Sequence, residues 1–245
     1  MPGIFITSGM DLRLDDIRIN VESGEIDPPT VTVRMDIWNH WLYVAREARD
    51  KSEVALKNVR AAASDNDDPR LSVALEEEFR QSMMAISSAA FAIDSFYASV
   101  VDRHGRHPQA SEWRVNKLAR YKQVFETLRW TWNIKPEPAN QIRDALKQLY
   151  RFRDFAVHPP SSFQQPIQRP DIDRGVEWRF IYFRAENAVT GVRIANEVIE
   201  ALLRDPSRAP VGLREWIEGC RPRFHDAAGY AIRDGVAQQS DSNNQ

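Results

Sequence analysis

In the second half of the chain, three residues combine the types and the spacing that phosphate chemistry needs. Arg153 and Asp154 are adjacent, and His158 follows four residues after the aspartate. A guanidinium binds and neutralises phosphate, and an imidazole transfers protons near neutral pH. Residues four apart are neighbours on a helix, so we expect the Asp154 carboxylate to hydrogen-bond the imidazole and fix its tautomer. The pattern therefore makes Arg153, Asp154 and His158 candidate catalytic residues.

The helical phase of Arg153 is the reason to expect a role for it. At about 100° per residue, Arg153 falls in the middle of an apolar helix face. That face consists of Ile142, Ala145, Leu146, Leu149, Phe152 and Ala156. An unpaired charge there is expensive, so the guanidinium must meet a partner, a ligand or a water-filled cleft. Pro159 disfavours helical geometry at the residue before it, which predicts that the helix ends at His158 and leaves its side chain free to turn into a cleft.

A basic stripe on the same predicted helix is a candidate RNA-binding surface. Arg143, Lys147 and Arg151 follow one another at steps of four residues. Side chains in such a row can contact successive backbone phosphates and guide a nucleic acid toward the end of the helix. The alternative is an ordinary solvated helix face, with Asp144 neutralising part of the charge.

Two other groups of residues have the residue types of a functional site. Arg34 and His40 also have the Arg-to-His spacing, but they straddle a predicted strand end and a predicted helix start, so we do not expect them to converge. His104 and His107 lie close together in a predicted loop, where a metal pair is possible, but no carboxylate cluster joins them. We therefore expect neither a metal nor another cofactor.

The elements that must position these residues are mainly helical. The seam Phe79, Met83, Ile86, Ala90, Ile93, Tyr97 and Val100 steps by four and three and predicts a core helix. Three further core helices are predicted: residues 118–132 with Ser111 as a cap, a third helix ending at His158, and residues 192–202. A long helix from the cap Asp36 to about residue 63 precedes these four.

Shorter elements flank the predicted four-helix bundle. Alternating apolar residues between positions 4 and 33 predict two or three strands, and residues 176–183 read as a later strand that could pair with residues 31–33. An extra C-terminal helix is expected at about 211–232, kinked or broken by Pro222. The proposed divisions are 1–70 (β element plus long helix), 71–205 (bundle), 206–236 (C-terminal helix) and 237–245 (disordered tail).

Composition narrows the class of protein. The 245 residues carry 33 basic and 35 acidic side chains, and this balance argues against a generic, salt-driven polyanion binder. The single cysteine, Cys220, excludes an internal disulfide and suits a reducing compartment. No uninterrupted apolar run reaches eighteen residues, and the first residues do not read as a secretory signal. We expect a cytoplasmic protein without a membrane span.

A helical bundle whose third helix ends in Arg-Asp, three residues and His resembles the HEPN superfamily, in which four to six residues separate an Arg from a following His. The resemblance covers about residues 71–205, and the helix 87–97 is similar in texture to the first core helix of that family. It implies a metal-independent endoribonuclease, often a toxin or defence protein, with an antitoxin or a nucleotidyltransferase as a possible partner. Arg153 would hold the scissile phosphate, His158 would act as general base or acid, and Asp154 would orient the histidine or contribute to the dimer cleft.

The geometry of a single helix leaves the site incomplete. In an unbroken helix, Arg153 and His158 project about 140° apart. A symmetric homodimer would gather two arginines and two histidines in one cleft. Two alternatives stay open: a non-catalytic RNA-binding, nucleotide-binding or protein-interaction member of the same fold, and a helical scaffold with no nucleotide role.

Overall fold

The computed structural model describes residues 5–7, 10–14, 30–158 and 163–230. Within these ranges the chain is mainly helical, with two small antiparallel sheets. The strands are β1 (Met10–Leu14), β2 (Val31–Met35), β3 (Ile167–Arg169) and β4 (Arg174–Val176). The helices are α1 (Trp38–Ser64), α2 (Asp68–His104), α3 (Ala110–Val115), α4 (Arg120–Thr131), α5 (Pro136–Val157), α6 (Arg179–Tyr182), α7 (Ala185–Leu203) and α8 (Val211–Ala228).

The two longest helices form the centre of the molecule. A short turn reverses the chain between α1 and α2, with Asn66 in the left-handed backbone region. The Asp67 side chain accepts a hydrogen bond from the Arg70 amide at 3.1 Å and so caps the first turn of α2. Because the turn is short, α1 and α2 pack along each other as neighbours.

The predicted core helix is confirmed, and small side chains let its neighbours approach closely. Four buried alanines of α2 face the surrounding helices: Ala85, Ala89, Ala90 and Ala92. On α7, Gly191 lies so close to α2 and α5 that an added Cβ would sit 3.3 Å from Ile86 Cγ1 and 3.4 Å from Leu149 Cδ1. These contacts hold α5, the helix that carries Arg153 and His158, against the core.

The N-terminal β element is confirmed in part. β1 and β2 pair antiparallel, with Met10 opposite Met35 and Leu14 opposite Val31. Residues 15–29, which include the predicted strand segment at 17–21, lie outside the described residues, as does the predicted disordered tail.

The prediction of a strand over residues 176–183 is wrong. β4 ends at Val176 and pairs with β3 rather than with residues 31–33, and α6 follows. The physical reason is aromatic packing. A helical turn places Phe180 and Phe183 on one side, and both rings pack on Phe79 of α2, with ring centroids 5.3 and 5.5 Å apart.

Two predicted helix caps are also wrong. The first long helix begins at Trp38 after Ile37, and Asp36 is instead buried, accepting hydrogen bonds from Ser99 at 2.6 Å and from Trp216 at 2.7 Å. Ser111 lies inside the short α3, and α4 begins at Arg120 without a side-chain cap.

The predicted ends of the later helices agree better with the structure. α5 ends at Val157 with His158 as its C-cap residue, as the following proline predicts. α7 ends at Leu203, and Asp205 caps a short 3₁₀ turn by accepting from the Ser207 amide. Pro222 lies inside α8 without ending it.

By length and composition alone, α2 is the one helix in the described part of the chain that could cross a membrane. Its most apolar window of 18 residues is 56% buried inside the protein. Buried core helices meet the same criterion, so this is weak evidence for a membrane span.

Candidate functional site

Arg153 lies near the end of α5, where two carboxylates hold its guanidinium. Nη1 donates to Asp94 Oδ2 at 3.0 Å, and Nη2 and Nε donate to Asp154 Oδ1 at 2.7 and 3.2 Å. The guanidinium carbon lies 4.5 Å from the centroid of the Tyr150 ring. The Arg153 side chain is 17% exposed. The apolar helix face therefore carries an arginine with partners, as its phase predicts.

Asp94 of α2 is the centre of this arrangement. Its Oδ1 accepts from the Tyr150 hydroxyl at 2.8 Å and from Arg120 Nε at 2.7 Å, while Oδ2 accepts from Arg153. One half-buried carboxylate thus joins α2, α4 and α5. We call Asp94, Arg120, Tyr150, Arg153 and Asp154 the Asp94 cluster.

Electrostatics fix the protonation of the Asp94 cluster. Burial raises the pKa of Tyr150 well above its usual value, and the neighbouring charge of Asp94 adds to the rise. Burial works against the charge of Arg120, but the charge and the hydrogen bond of Asp94 more than offset it and raise the pKa of Arg120. At neutral pH the phenol is therefore a hydrogen-bond donor, and Arg120 is a cation.

His158 is exposed at the C-terminal end of α5, and its backbone amide donates to the Asp154 carbonyl at 2.8 Å. The predicted hydrogen bond between the Asp154 carboxylate and the imidazole is wrong. That carboxylate binds Arg153 instead, because the adjacent guanidinium offers it two charge-assisted donors. Among the described residues, no hydrogen bond orients the imidazole.

The basic stripe lies on the outer side of α5. Arg143 pairs with Asp144 at 3.2 Å, and Lys147 and Arg151 are exposed. The Arg151 guanidinium lies 5.4 Å from the ring centroid of Phe155. All three positions are open to a ligand in solution, and part of the Arg143 charge is already neutralised.

The second Arg-His spacing forms no site. Arg34 binds Asp11 at 2.9 Å across the β1–β2 pair and also binds Asp102 of α2. His40 is exposed on α1. Arg34 therefore serves to hold the hairpin on α2.

His104 and His107 are part of an aromatic stack. His107 stacks on Trp113 with centroids 4.4 Å apart, and both histidines pack on Trp130. Burial lowers the pKa of His107, so its ring is neutral at physiological pH. No group of three residues suited to a metal occurs in the part of the chain that the structure describes.

A groove of about 860 Å³ beside the Asp94 cluster has no counterpart in the sequence analysis. The end of α2, the loop after it, α3 and the start of α4 line it, and Arg106, Arg114 and Arg120 lie along it. These arginines follow no helical period, so no local sequence pattern predicts that they lie together. Arg120 belongs to both the groove and the Asp94 cluster, because it lines the groove and donates to Asp94.

Comparisons of the chain with protein-family models, with curated proteins and with solved structures find no match. The geometry of the Asp94 cluster and of His158 is therefore the basis for any statement about function.

Proposed function

We propose that this protein is a metal-independent endoribonuclease of the HEPN type, in which α2, α4, α5 and α7 form the four-helix bundle. One observation carries the proposal. Asp94 of α2 holds Arg153 of α5 in place, and the exposed imidazole of His158 lies at the end of α5. A positioned cation and an accessible proton-transfer group are the two components that RNA cleavage by its own 2′-hydroxyl requires.

The hydrogen bonds of Arg153 suggest how phosphate enters the site. Asp94 engages Nη1, and the exposed Asp154 occupies the Nε–Nη2 edge. The Asp154 carboxylate is 57% exposed, and an ion pair to a solvated carboxylate is worth little, about 0–1 kcal/mol, so a phosphate can displace Asp154 at little cost. The freed edge then offers two parallel donors to the phosphate, while Asp94 continues to hold the guanidinium.

The chemical step uses the ribose as the nucleophile. His158 takes the proton of the 2′-hydroxyl, the 2′-oxygen attacks phosphorus, and the bond from phosphorus to the 5′-oxygen breaks. A protonated imidazole gives the leaving oxygen its proton. The products are a 2′,3′-cyclic phosphate and a 5′-hydroxyl end, and Arg153 neutralises the charge that grows on the phosphate oxygens.

The active unit that we propose is a homodimer. Arg153 and His158 lie five residues apart on α5, and the Arg153 side chain points toward Asp94 of its own chain. The phosphate held by Arg153 of one protomer is then attacked with the help of His158 of the other. This arrangement accommodates the roughly 140° between the two side chains on one helix.

The test is cleavage of single-stranded RNA with EDTA present. We expect His158→Ala to lower the cleavage rate by about 10²–10⁴-fold, the usual worth of a general acid or base. Arg153→Ala should act in the same direction. His40→Ala is the matched control, because it removes an exposed histidine from α1. Equal rates in all four proteins, or a product without a cyclic phosphate, would exclude the mechanism.

Growth of a host cell is a second readout of the same proposal. If the protein is a toxin or a defence nuclease, expression of the wild-type chain arrests growth, and His158→Ala relieves the arrest. An antitoxin or a nucleotidyltransferase is the partner that we propose would restrain it.

A second candidate function is a non-catalytic module of the same fold that binds RNA, a nucleotide or a protein. The pairing of Arg153 with two carboxylates of its own chain favours it, because these carboxylates already neutralise its charge. RNA binding without cleavage, unchanged in His158→Ala, would select this candidate.

A further inference from the structure

The groove beside the Asp94 cluster carries the inference that goes furthest. Its volume of about 860 Å³ lies within the range of roughly 300–1,000 Å³ typical of ligand sites. Arg120 joins it to the candidate active site, because Arg120 lines the groove and donates to Asp94, which in turn binds Arg153. A ligand in the groove is therefore two hydrogen bonds away from the proposed phosphate-binding arginine.

Two arginines of the groove have charge to offer. Arg106 and Arg114 are both exposed, and neither pairs with a carboxylate among the described residues. Asp102 is the acidic residue that lines the groove, and it is engaged by Arg34. The groove is thus locally basic although the chain as a whole has a formal net charge of -2. A local excess of cations in a concave site attracts phosphates.

Aromatic rings accompany the charges. Trp113 lines the groove and is held by the neutral ring of His107, which stacks on it at 4.4 Å. Tyr97 also lines the groove, and the Arg120 guanidinium lies 4.5 Å from its ring centroid. Aromatic and guanidinium planes are the groups on which unpaired bases stack.

We propose that this groove binds the single-stranded RNA next to the scissile phosphate. Backbone phosphates lie on Arg106 and Arg114, a base stacks on Trp113, and the strand passes Arg120 to reach Arg153. The inference deepens the proposed nuclease function and rests on it for the identity of the ligand. It also assigns substrate class: a strand whose bases are unpaired enters the groove, and a duplex, whose bases are stacked on each other, does not.

Binding of a fluorescently labelled single-stranded RNA, measured by anisotropy in the His158→Ala background, tests the proposal. We expect Arg106→Glu/Arg114→Glu to weaken binding at least about tenfold. Arg193→Glu/Arg204→Glu, which reverses two exposed arginines associated with α7, is the matched control and should change Kd less than about twofold. Circular dichroism verifies folding.

The salt dependence gives a sharper readout with milder variants. Arg106→Gln/Arg114→Gln removes two phosphate contacts, so the slope of log K against log salt should become shallower by about 1.4, at roughly 0.7 per phosphate on a single strand. Trp113→Leu should weaken binding about tenfold and leave this slope unchanged, because stacking involves no counterion release.

Several results would overturn the groove proposal: a Kd that the groove variants leave unchanged, tighter binding of a duplex than of the single strand, or no RNA binding by the parent protein. Competition by polyglutamate as effective as that by RNA would assign the groove to an acidic protein instead. The nuclease proposal fails separately. If the wild type binds RNA in the groove but does not cleave it, only the nuclease proposal is excluded. If the groove variants cleave RNA normally with unchanged KM, only the groove proposal is excluded.

Discussion

Asp94 is the residue on which the geometry of the candidate site depends. It accepts hydrogen bonds from Tyr150, Arg120 and Arg153, which belong to two other helices. A carboxylate that holds two guanidiniums fixes both in orientation and keeps their charges compatible with partial burial.

We predict that Asp94→Asn lowers the free energy of unfolding by about 1–3 kcal/mol, because three hydrogen bonds lose their charged acceptor. Asp154→Asn, at the exposed end of the same cluster, should cost less than about 1 kcal/mol, since surface ion pairs contribute little. Urea unfolding followed by circular dichroism measures both. Equal costs would mean that Asp94 is no more important to the cluster than Asp154.

Cys220 gives a prediction about pH. Burial raises the pKa of its thiol from 9.0 to about 12. Between these values the unfolded chain has lost the thiol proton and the folded chain has kept it, so rising pH stabilises the unfolded state. The stabilising contribution is complete below about pH 9 and is lost as the pH rises toward 12.

We therefore expect the wild type to lose stability faster than Cys220→Ala above about pH 9, by up to about 1.4 kcal/mol per pH unit. The measurement is urea unfolding of both proteins between about pH 8 and pH 10.5. The buried Tyr150 is present in both proteins, so its titration cancels in the comparison. Parallel curves would show that the thiol is not protected from ionisation in the folded state.

At the scale of elements, a buried ion pair anchors the small β3–β4 sheet. Arg169 is fully buried, and its Nη1 lies 2.7 Å from Glu78 Oε2 of α2. Glu78 Oε1 also accepts from the amide of Ala185, the first residue of α7. Asp171 contacts Arg169 Nε at 3.0 Å. This group fixes the sheet, and the turn into α6, against the core.

We predict that Arg169→Met lowers the free energy of unfolding by about 3–5 kcal/mol, because it leaves the Glu78 charge buried without its partner. Arg169→Met/Glu78→Met should cost less than the single change, since the Glu78 charge is then no longer buried without a partner. Arg80→Met is the control, because Arg80 pairs with Glu77 on the exposed side of α2. Urea unfolding decides the matter, and an additive double variant would contradict the pairing argument.

α5 shows how an element delivers the candidate site. Its buried residues Leu146 and Leu149 fix the rotation of the helix, and that rotation directs Arg153 toward Asp94. The same rotation leaves the basic stripe on the outer side. The end of α5 at Val157 then exposes His158. Packing of two leucines thus determines where three functional groups point.

At the scale of the whole molecule, the proposed dimer makes a prediction about mixing. Arg153→Ala and His158→Ala are each inactive alone under the proposal. If cleavage uses Arg153 of one protomer and His158 of the other, a mixed dimer contains one intact site. Random exchange then makes half of the dimers mixed, so about one quarter of wild-type activity returns.

The measurement is RNA cleavage after equal amounts of the two variants have been unfolded and refolded together. His158→Ala alone, unfolded and refolded in the same way, is the control. Light scattering of the wild type establishes whether the dimer forms. A dimer whose mixed form stays inactive would place the arginine and histidine of each working site in the same protomer, or require all four.

The sequence by itself determined the features that depend on neighbours along the chain. Apolar residues at steps of three and four predict α2, and Pro159 predicts the end of α5 at His158. The position of Arg153 in an apolar face predicts that it needs a partner. These inferences hold because helix periodicity and the restriction before proline act over a few residues.

Only the tertiary structure decided which residues meet. Asp94 lies 59 residues before Arg153 in sequence, and the basic groove combines arginines from a loop, α3 and α4. Asp154 binds the adjacent Arg153 guanidinium rather than the His158 imidazole. Packing on Phe79 makes the alternating segment helical, as α6. Arg153 and Asp154 are adjacent in sequence, and their pair is explained by the two charge-assisted donors of the guanidinium. In the other three cases the free energy of the contacts comes from groups distant in sequence, and local periodicity carries no information about them.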